Sequence, residues 1–234
     1  MVSSDGQIIP FSAQYNGNID VFVVPTTGGV PRRLTWHPGA DIVRDFSPDG
    51  KQVLFASGRN SFTGRYLQLF TVDLGTGFEN QLPIPNAFWA SYNSSGTHIA
   101  YTTLPDAFDQ WKNYRGGTMS RIWVYDVKTH AVAEIPKPAG GSNDTKPVWV
   151  GNKVYFRSDR NGEFNLYSYD VASKAVAQHS RFDDFPVIWL NANGGDIIFA
   201  QAGYLHVFNT ASNKTNTLKI GIAADLLDLR ARYY

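Results

Sequence analysis

A short pattern that recurs five times constrains this chain more than any other feature. In each copy an aromatic residue stands five positions after a turn glycine. The pairs are Gly6 and Phe11, Gly50 and Phe55, Gly96 and Tyr101, Gly151 and Phe156, and Gly194 and Phe199. The glycines are 44, 46, 55 and 43 residues apart. A period of about 40 to 50 residues is typical of propellers and solenoid arrays, so the sequence predicts a series of equivalent units.

Each copy contains several short strands. A second alternating strand follows the glycine–aromatic strand, as in YLQLFTVD and FNLYSYD, and a third follows a polar turn, as in AVAEI. From the second copy onward an apolar approach strand precedes the glycine: IVRDF, FWASY, KPVWV and PVIWL. Short strands between Gly, Asn, Asp and Pro turns, without a helical period, are typical of propeller blades.

The sequence therefore predicts an all-β fold, a propeller of about five four-stranded blades. We expect one domain over residues 1–234, with repeats at about 1–40, 41–86, 87–143, 144–183 and 184–224. The chain opens at a second-strand position without an approach strand, and the family resemblance given below implies that roughly one blade is missing upstream.

Composition excludes several classes of partner. Lys and Arg total 21 against 20 for Asp and Glu, a net charge of +1, which does not favour nucleic acid or anionic membrane. The chain has no cysteine, no basic and apolar leader, and no apolar run of spanning length. We expect a soluble protein with no nucleic-acid or membrane partner, and both cytoplasm and periplasm remain open.

No catalytic, metal or cofactor site is predicted. A G-x-S-x-G nucleophile elbow is absent, and the five histidines are spread over four repeats without H-x-x-x-H spacing. We therefore expect no hydrolytic activity from this chain alone.

Four aspartates stand shortly before predicted approach strands, which line the channel of a propeller: Asp41, Asp144, Asp184 and Asp225. A ring of carboxylates at one mouth of the channel would attract a cationic group or an amino terminus. In another class of propeller, paired carboxylates would hydrolyse glycosides. The alternative is structural, with each aspartate capping a turn by accepting backbone N–H groups.

The third copy carries an insertion at residues 104–120, where the other copies need only a short turn. Long loops on rigid scaffolds often bind ligands. Trp111, Lys112, Tyr114 and Arg115 would offer an aromatic face beside two cations, suited to a peptide carboxylate or backbone. The same loop would alternatively cover a blade edge, and the sequence leaves both roles open.

Four longer sequence segments resemble a known protein family. PRRLTWHPGAD, FDQWKNYRGG, NGEFNLYSYD and DDFPVIW resemble the N-terminal propeller of tricorn protease and its bacterial homologues, within the wider group of TolB-type repeats. That resemblance implies a six-bladed, non-catalytic propeller that guides or filters peptides. It also implies a longer parent in which a second propeller, PDZ modules and a serine-protease core follow, and thus a fragment or a shortened relative here.

The resulting hypothesis is a non-catalytic propeller that binds or gates peptides in a tricorn-like protease system. The alternatives are a free-standing TolB-like protein–protein interaction module and a propeller hydrolase that acts on sugars. Fold alone does not separate them. Residues 225–234 are expected to pair with the first copy around Ile8 and Phe11, which would close a five-bladed ring and give a monomer. An open crescent would instead form a dimer.

Overall fold

The repeats fold into separate antiparallel sheets, one for each glycine–aromatic unit. The structure is a computed structural model that describes residues 1–15 and 17–221. In this part of the chain the first sheet has three strands and each of the next four sheets has four, always in chain order.

The strand bounds are as follows. The first sheet contains β1 (Ile8–Ala13), β2 (Asp20–Pro25) and β3 (Arg32–Arg33). The second contains β4 (Asp41–Phe46), β5 (Gln52–Ser57), β6 (Gln68–Asp73) and β7 (Glu79–Gln81). The third contains β8 (Ala90–Tyr92), β9 (His98–Thr102), β10 (Ile122–Asp126) and β11 (Val132–Glu134). The fourth contains β12 (Asp144–Val150), β13 (Lys153–Ser158), β14 (Asn165–Asp170) and β15 (Val176–Gln178). The fifth contains β16 (Ile188–Asn193), β17 (Asp196–Gln201), β18 (Tyr204–Asn209) and β19 (Lys214–Thr217).

This architecture confirms the prediction of an all-β propeller with five blades. The three-stranded first sheet agrees with a first repeat that begins at a second-strand position. A single 3-10 turn, Ala107–Asp109, is the only helical element among the described residues, and none of them forms a helix that could span a membrane.

The five repeat glycines close equivalent turns. Gly6, Gly50, Gly96, Gly151 and Gly194 all have φ between 57° and 72°. This left-handed conformation costs a residue with a Cβ more than it costs glycine. The recurrence of glycine in the sequence therefore has a local backbone cause.

The core lies between neighbouring sheets. Phe55 of β5 is fully buried against Val21 and Leu34 of the first sheet, whereas the adjacent Leu54 packs toward Tyr101 of the third sheet. Because successive side chains of a strand point to opposite faces, each middle strand contributes to two interfaces. Four such interfaces join the five sheets in sequence.

One edge strand of each sheet faces the centre of the array. These inner strands are β1, β4, β8, β12 and β16, and each contacts the next along the series. Since β1 belongs to the sheet without an approach strand, a second-strand segment takes the inner position there. The inner strands thus bring residues from all five repeats to one place.

Ring closure stays a prediction, since residues 225–234 lie outside the described part of the chain. If they complete the first blade, deleting them should expose the free edge of β1 and abolish cooperative thermal unfolding. The measurement is differential scanning calorimetry of the parent and the truncated chain, with sedimentation velocity for the oligomeric state. A truncated chain that melts like the parent, or a parent that sediments as a dimer, would contradict closure.

Candidate functional site

A cavity lies where the inner strands converge. Its volume is about 320 Å³, and all five inner strands contribute to its wall. The large or charged side chains of the wall come from these strands and, for Trp89, from the position just before β8: Phe11, Arg44, Asp45, Trp89, Lys146 and Trp189. Cavities that bind small ligands begin at about 300 Å³ and combine apolar walls with a few polar groups. This cavity has that size and composition.

β-bulges in three inner strands carry lining residues. The ladder gains one extra residue at Arg44 in β4, within 145–148 of β12 and within 188–191 of β16. Lys146 and Trp189 lie in the last two bulges, with φ of 55° and 54°. Positive φ is uncommon for residues other than Gly, Asn and Asp, and bulges commonly redirect a side chain near a functional site.

Two cations stack on the indole ring of Trp89. The Lys146 Nζ lies 3.3 Å from its ring centroid and the Arg44 Cζ lies 4.2 Å from it. Lys146 is also 5.0 Å from the Trp189 ring, and Arg44 is 4.6 Å from the Phe88 ring. Cation–π contacts hold both charges at the cavity wall without neutralising them.

The insertion loop contributes a buried carboxylate, Asp106. Its oxygens accept a hydrogen bond from the Thr145 hydroxyl and a charged one from Arg157 Nη2 at 3.1 Å. The Lys146 Nζ is 3.6 Å away. Asp106 therefore compensates the two cations of the fourth sheet, Lys146 and Arg157.

Burial lowers the pKa values of the two lining cations. The pKa of Arg44 falls to about 9, and that of Lys146 falls to about 8, although Asp106 opposes the shift in both cases. Both side chains therefore remain protonated near neutral pH. Asp45 lines the same cavity, and burial raises its pKa to about 6, so the wall carries two cations beside one carboxylate.

Two of the predicted acidic residues do not face this cavity as free carboxylates. Asp41 and Asp144 begin β4 and β12 and are fully buried. Arg59 Nη2 contacts Asp41 Oδ2 at 2.6 Å, and Arg160 Nη2 contacts Asp144 Oδ2 at 2.8 Å. Both carboxylates thus have structural partners, but these partners are side chains and not the backbone N–H groups expected of a turn cap.

The arginines of these pairs stack on aromatic residues of their own blades. Arg160 lies 5.3 Å from the rings of both Phe156 and Tyr167, and its Nε donates to the Ser158 hydroxyl at 3.1 Å. Arg59 repeats the arrangement in the second sheet. The sequence analysis did not predict that Arg59 and Arg160 would pair with the aspartates. A Ser-x-Arg spacing, in FASGR and FRSDR, is the sequence signal that the two arginines share.

The third aspartate has a different partner. Asp184 is exposed, and its Oδ1 accepts hydrogen bonds from Gln201 Nε2 at 2.8 Å and from the Phe185 N–H at 2.7 Å. A role in ligand binding stays open for this residue. Asp225 lies outside the described residues.

The insertion loop is docked on the fourth sheet. Arg115 Nη1 contacts the buried Asp159 at 2.6 Å, and Lys112 Nζ contacts Glu163 at 2.5 Å. The Tyr114 carbonyl accepts a hydrogen bond from Asn143 Nδ2 at 2.8 Å. These contacts give the loop a covering role.

Trp111 is exposed and, unlike Lys112 and Arg115, does not take part in an ion pair. Its side chain is 63% exposed and stacks on Tyr114, with ring centroids 6.1 Å apart. It also borders a second cavity that Asp106 lines. A ligand contact at the loop is thus supported best at Trp111.

The lining residues went unpredicted because they stand in strands that read as apolar. Arg44, Trp89, Lys146 and Trp189 belong to IVRDF, FWASY, KPVWV and PVIWL, respectively. The sequence signal for these lining residues was the presence of a cation, Arg44 or Lys146, in two of the four otherwise apolar approach strands. The hydrophobic pattern did not indicate which side chains would leave the ladder.

The fold and the cavity define this protein as a β-propeller with a ligand-sized central site. The family model for the tricorn protease N-terminal beta propeller domain matches residues 1–214, and the chain belongs to that family. This agrees with the resemblance seen in the sequence.

Relatives place the family in longer proteins. The chain is 26% identical over 209 residues to the tricorn protease of Thermoplasma acidophilum and 30% identical over 209 residues to a tricorn protease homolog of Saccharolobus solfataricus. The matches cover 86% and 88% of this chain, and it spans 19% of the length of each relative.

Solved structures show the same fold. The crystal structure of the tricorn protease matches with a TM-score of 0.80 at 23% identity, over 96% of this chain and 22% of that one. TolB from Acinetobacter baumannii matches with a TM-score of 0.68 at 18% identity, over 92% of this chain and 53% of that one.

Removing the arginine of a buried pair should destabilise the protein. Arg160→Ala leaves the Asp144 carboxylate buried without its cation, which costs about 3 kcal/mol of unfolding free energy. The exposed pair of Arg121 with Glu134 supplies the control, since Arg121→Ala should cost about 1 kcal/mol or less. Urea denaturation measures both, and equal losses would contradict a structural role for the Asp144 pair.

Two loop variants separate docking from ligand contact. Arg115→Ala should lower the melting temperature because Asp159 loses its cation, whereas Trp111→Ala should leave it nearly unchanged. If the loop contacts ligand, Trp111→Ala weakens peptide binding. Thermal unfolding and a peptide titration test the pair. Unchanged peptide affinity in Trp111→Ala would make the loop a cover only.

Proposed function

We propose that this chain is a non-catalytic propeller that binds peptides in its central cavity. The supporting observation is the cavity itself, with rings and cations supplied by the inner strands and, for Trp89, by the position just before β8. Aromatic faces accommodate side chains or planar peptide groups, and cations pair with carbonyl or carboxylate oxygens. A rigid wall fixed within five sheets lowers the entropy cost of binding.

Family membership supports a context in proteolysis. The relatives bear the name tricorn protease, and this chain corresponds to about a fifth of their length. We place the propeller beside protease domains, either in a longer parent or as a partner of them. Its role there is to hold or pass peptides rather than to cleave them.

The experiment is a binding titration with fluorescent peptides of mixed sequence. Trp189 and Trp36 make a matched pair, since they are 67% and 62% exposed but only Trp189 lines the cavity. Trp189→Ala should weaken binding about tenfold, the loss of about 1.4 kcal/mol, and Trp36→Ala should not. Mass spectrometry of the recovered peptides should show no cleavage.

Three results would contradict the proposal. If no peptide binds the parent chain, the proposed function is wrong. If the two tryptophan variants lose the same peptide affinity, the central cavity is not the binding site. Cleavage that persists through repurification would make the chain an enzyme.

A further inference from the structure

The Arg44 guanidinium has buried N–H donors without a hydrogen-bond acceptor among the described residues. The side chain lines the central cavity and is only 6% exposed. Its Nε and Nη2 atoms are buried, and no acceptor for either exists among residues 1–15 and 17–221. A desolvated guanidinium is costly unless its donors are paired. Its contacts with the Phe88 and Trp89 rings supply no oxygen.

The neighbouring carboxylates are already engaged. Asp106 is contacted by Arg157 and Thr145, and Lys146 lies beside it. Asp45, next in sequence to Arg44, accepts the backbone N–H groups of Phe46 and Tyr92 at 2.8 Å each. Arg44 therefore has no protein carboxylate in contact with it among the described residues.

Additional donors and charge surround Arg44. The Trp89 Nε1 is buried without an acceptor in the described chain, and the Lys146 Nζ lies over the same indole ring. Burial, followed by repulsion from Arg157 and Arg44, lowers the pKa of Lys146, and an anion nearby would offset these effects. The local chemistry thus favours a ligand with negatively charged oxygen atoms.

The backbone holds these groups in position at a cost. Arg44 and Lys146 lie in bulges, and Lys146 has a φ of 55°. Strained conformations of this kind persist where the surroundings enforce them, and they cluster at binding sites. Regular ladders would place both side chains differently.

We propose that the central cavity contains a carboxylate-binding site, in which Arg44 receives the carboxylate of a peptide ligand and Lys146 adds a second positive charge. That the carboxylate belongs to a peptide rests on the proposed function. The preference for a carboxylate rests on the surroundings of Arg44. A guanidinium presents its donors as a planar fork that matches a carboxylate. The carboxylate comes from a peptide C-terminus or from an acidic side chain.

The test compares ligands that differ only at the carboxylate. Isothermal titration of the full chain uses N-acetyl-Ala-Ala-Phe as the free acid and as the C-terminal amide, at constant ionic strength. The free acid should bind at least tenfold more tightly. N-acetyl-Ala-Asp-Phe amide shows whether a side-chain carboxylate serves as well. Benzoate against benzamide tests the carboxylate preference without a peptide.

Arg44→Gln should remove the difference in affinity between the free acid and the amide. Its melting temperature should equal or exceed that of the parent, because the substitution removes a buried charge that has no ion pair among the described residues. Arg121→Gln, at an exposed arginine, should retain the full difference. If Arg44→Gln does not fold, Lys146→Gln takes its place and should reduce the ratio.

The outcomes separate the two proposals. Equal binding of acid and amide, with no gain from the aspartate peptide, would overturn the carboxylate site and leave peptide binding intact. Absence of all peptide binding would overturn the proposed function, and benzoate against benzamide would then decide the carboxylate site alone. A full acid preference that persists in Arg44→Gln would overturn the role of Arg44.

Discussion

The buried ion pair between an inner strand and its neighbour is the interaction on which the other features of this structure depend. Asp41 pairs with Arg59 and Asp144 with Arg160, each aspartate with no exposed surface. An unpaired buried charge is far more costly than a paired one. The strand registers that unite these groups are therefore favoured over registers that separate them.

In β4 and β12 such a pair lies at the start of a strand that carries a bulge, whereas the bulge of β16, which contains Trp189, has no such pair among the described residues. β12 is held at its start by Asp144 and at its end by the turn that leads into β13, where Val150 opposes Lys153. The extra residue between these two points cannot slide out of the ladder, so it is accommodated as a bulge. The bulge contains Lys146, and the same arrangement in β4 contains Arg44. Both cations of the cavity wall thus lie in bulges of strands whose starts are held by an ion pair.

The insertion loop adds the one carboxylate that meets these cations. Asp106 contacts Arg157 and approaches Lys146, while Arg115 and Asp159 fix the far part of the loop to the fourth sheet. Of the two cations in the described cavity wall, Arg44 is the one without an ion pair. A site built in this way is set before any ligand arrives, which suits the binding role proposed for a propeller of the tricorn family.

The number of units and the order of strands within each unit follow from local sequence patterns. The glycine turns and the alternation of side chains are local features, and each survives in the structure at its predicted place, from Gly50 with Phe55 to Gly194 with Phe199. Tertiary structure decided the chemistry of the centre. Asp41 and Asp144 stood at the expected ends of inner strands, but distant arginines bury and neutralise them. Arg44 and Lys146 stood in strands that resembled core, yet bulges place them in the cavity wall. These side chains form one cavity only because the five inner strands meet, and those strands lie between Ile8 and Asn193 of the chain.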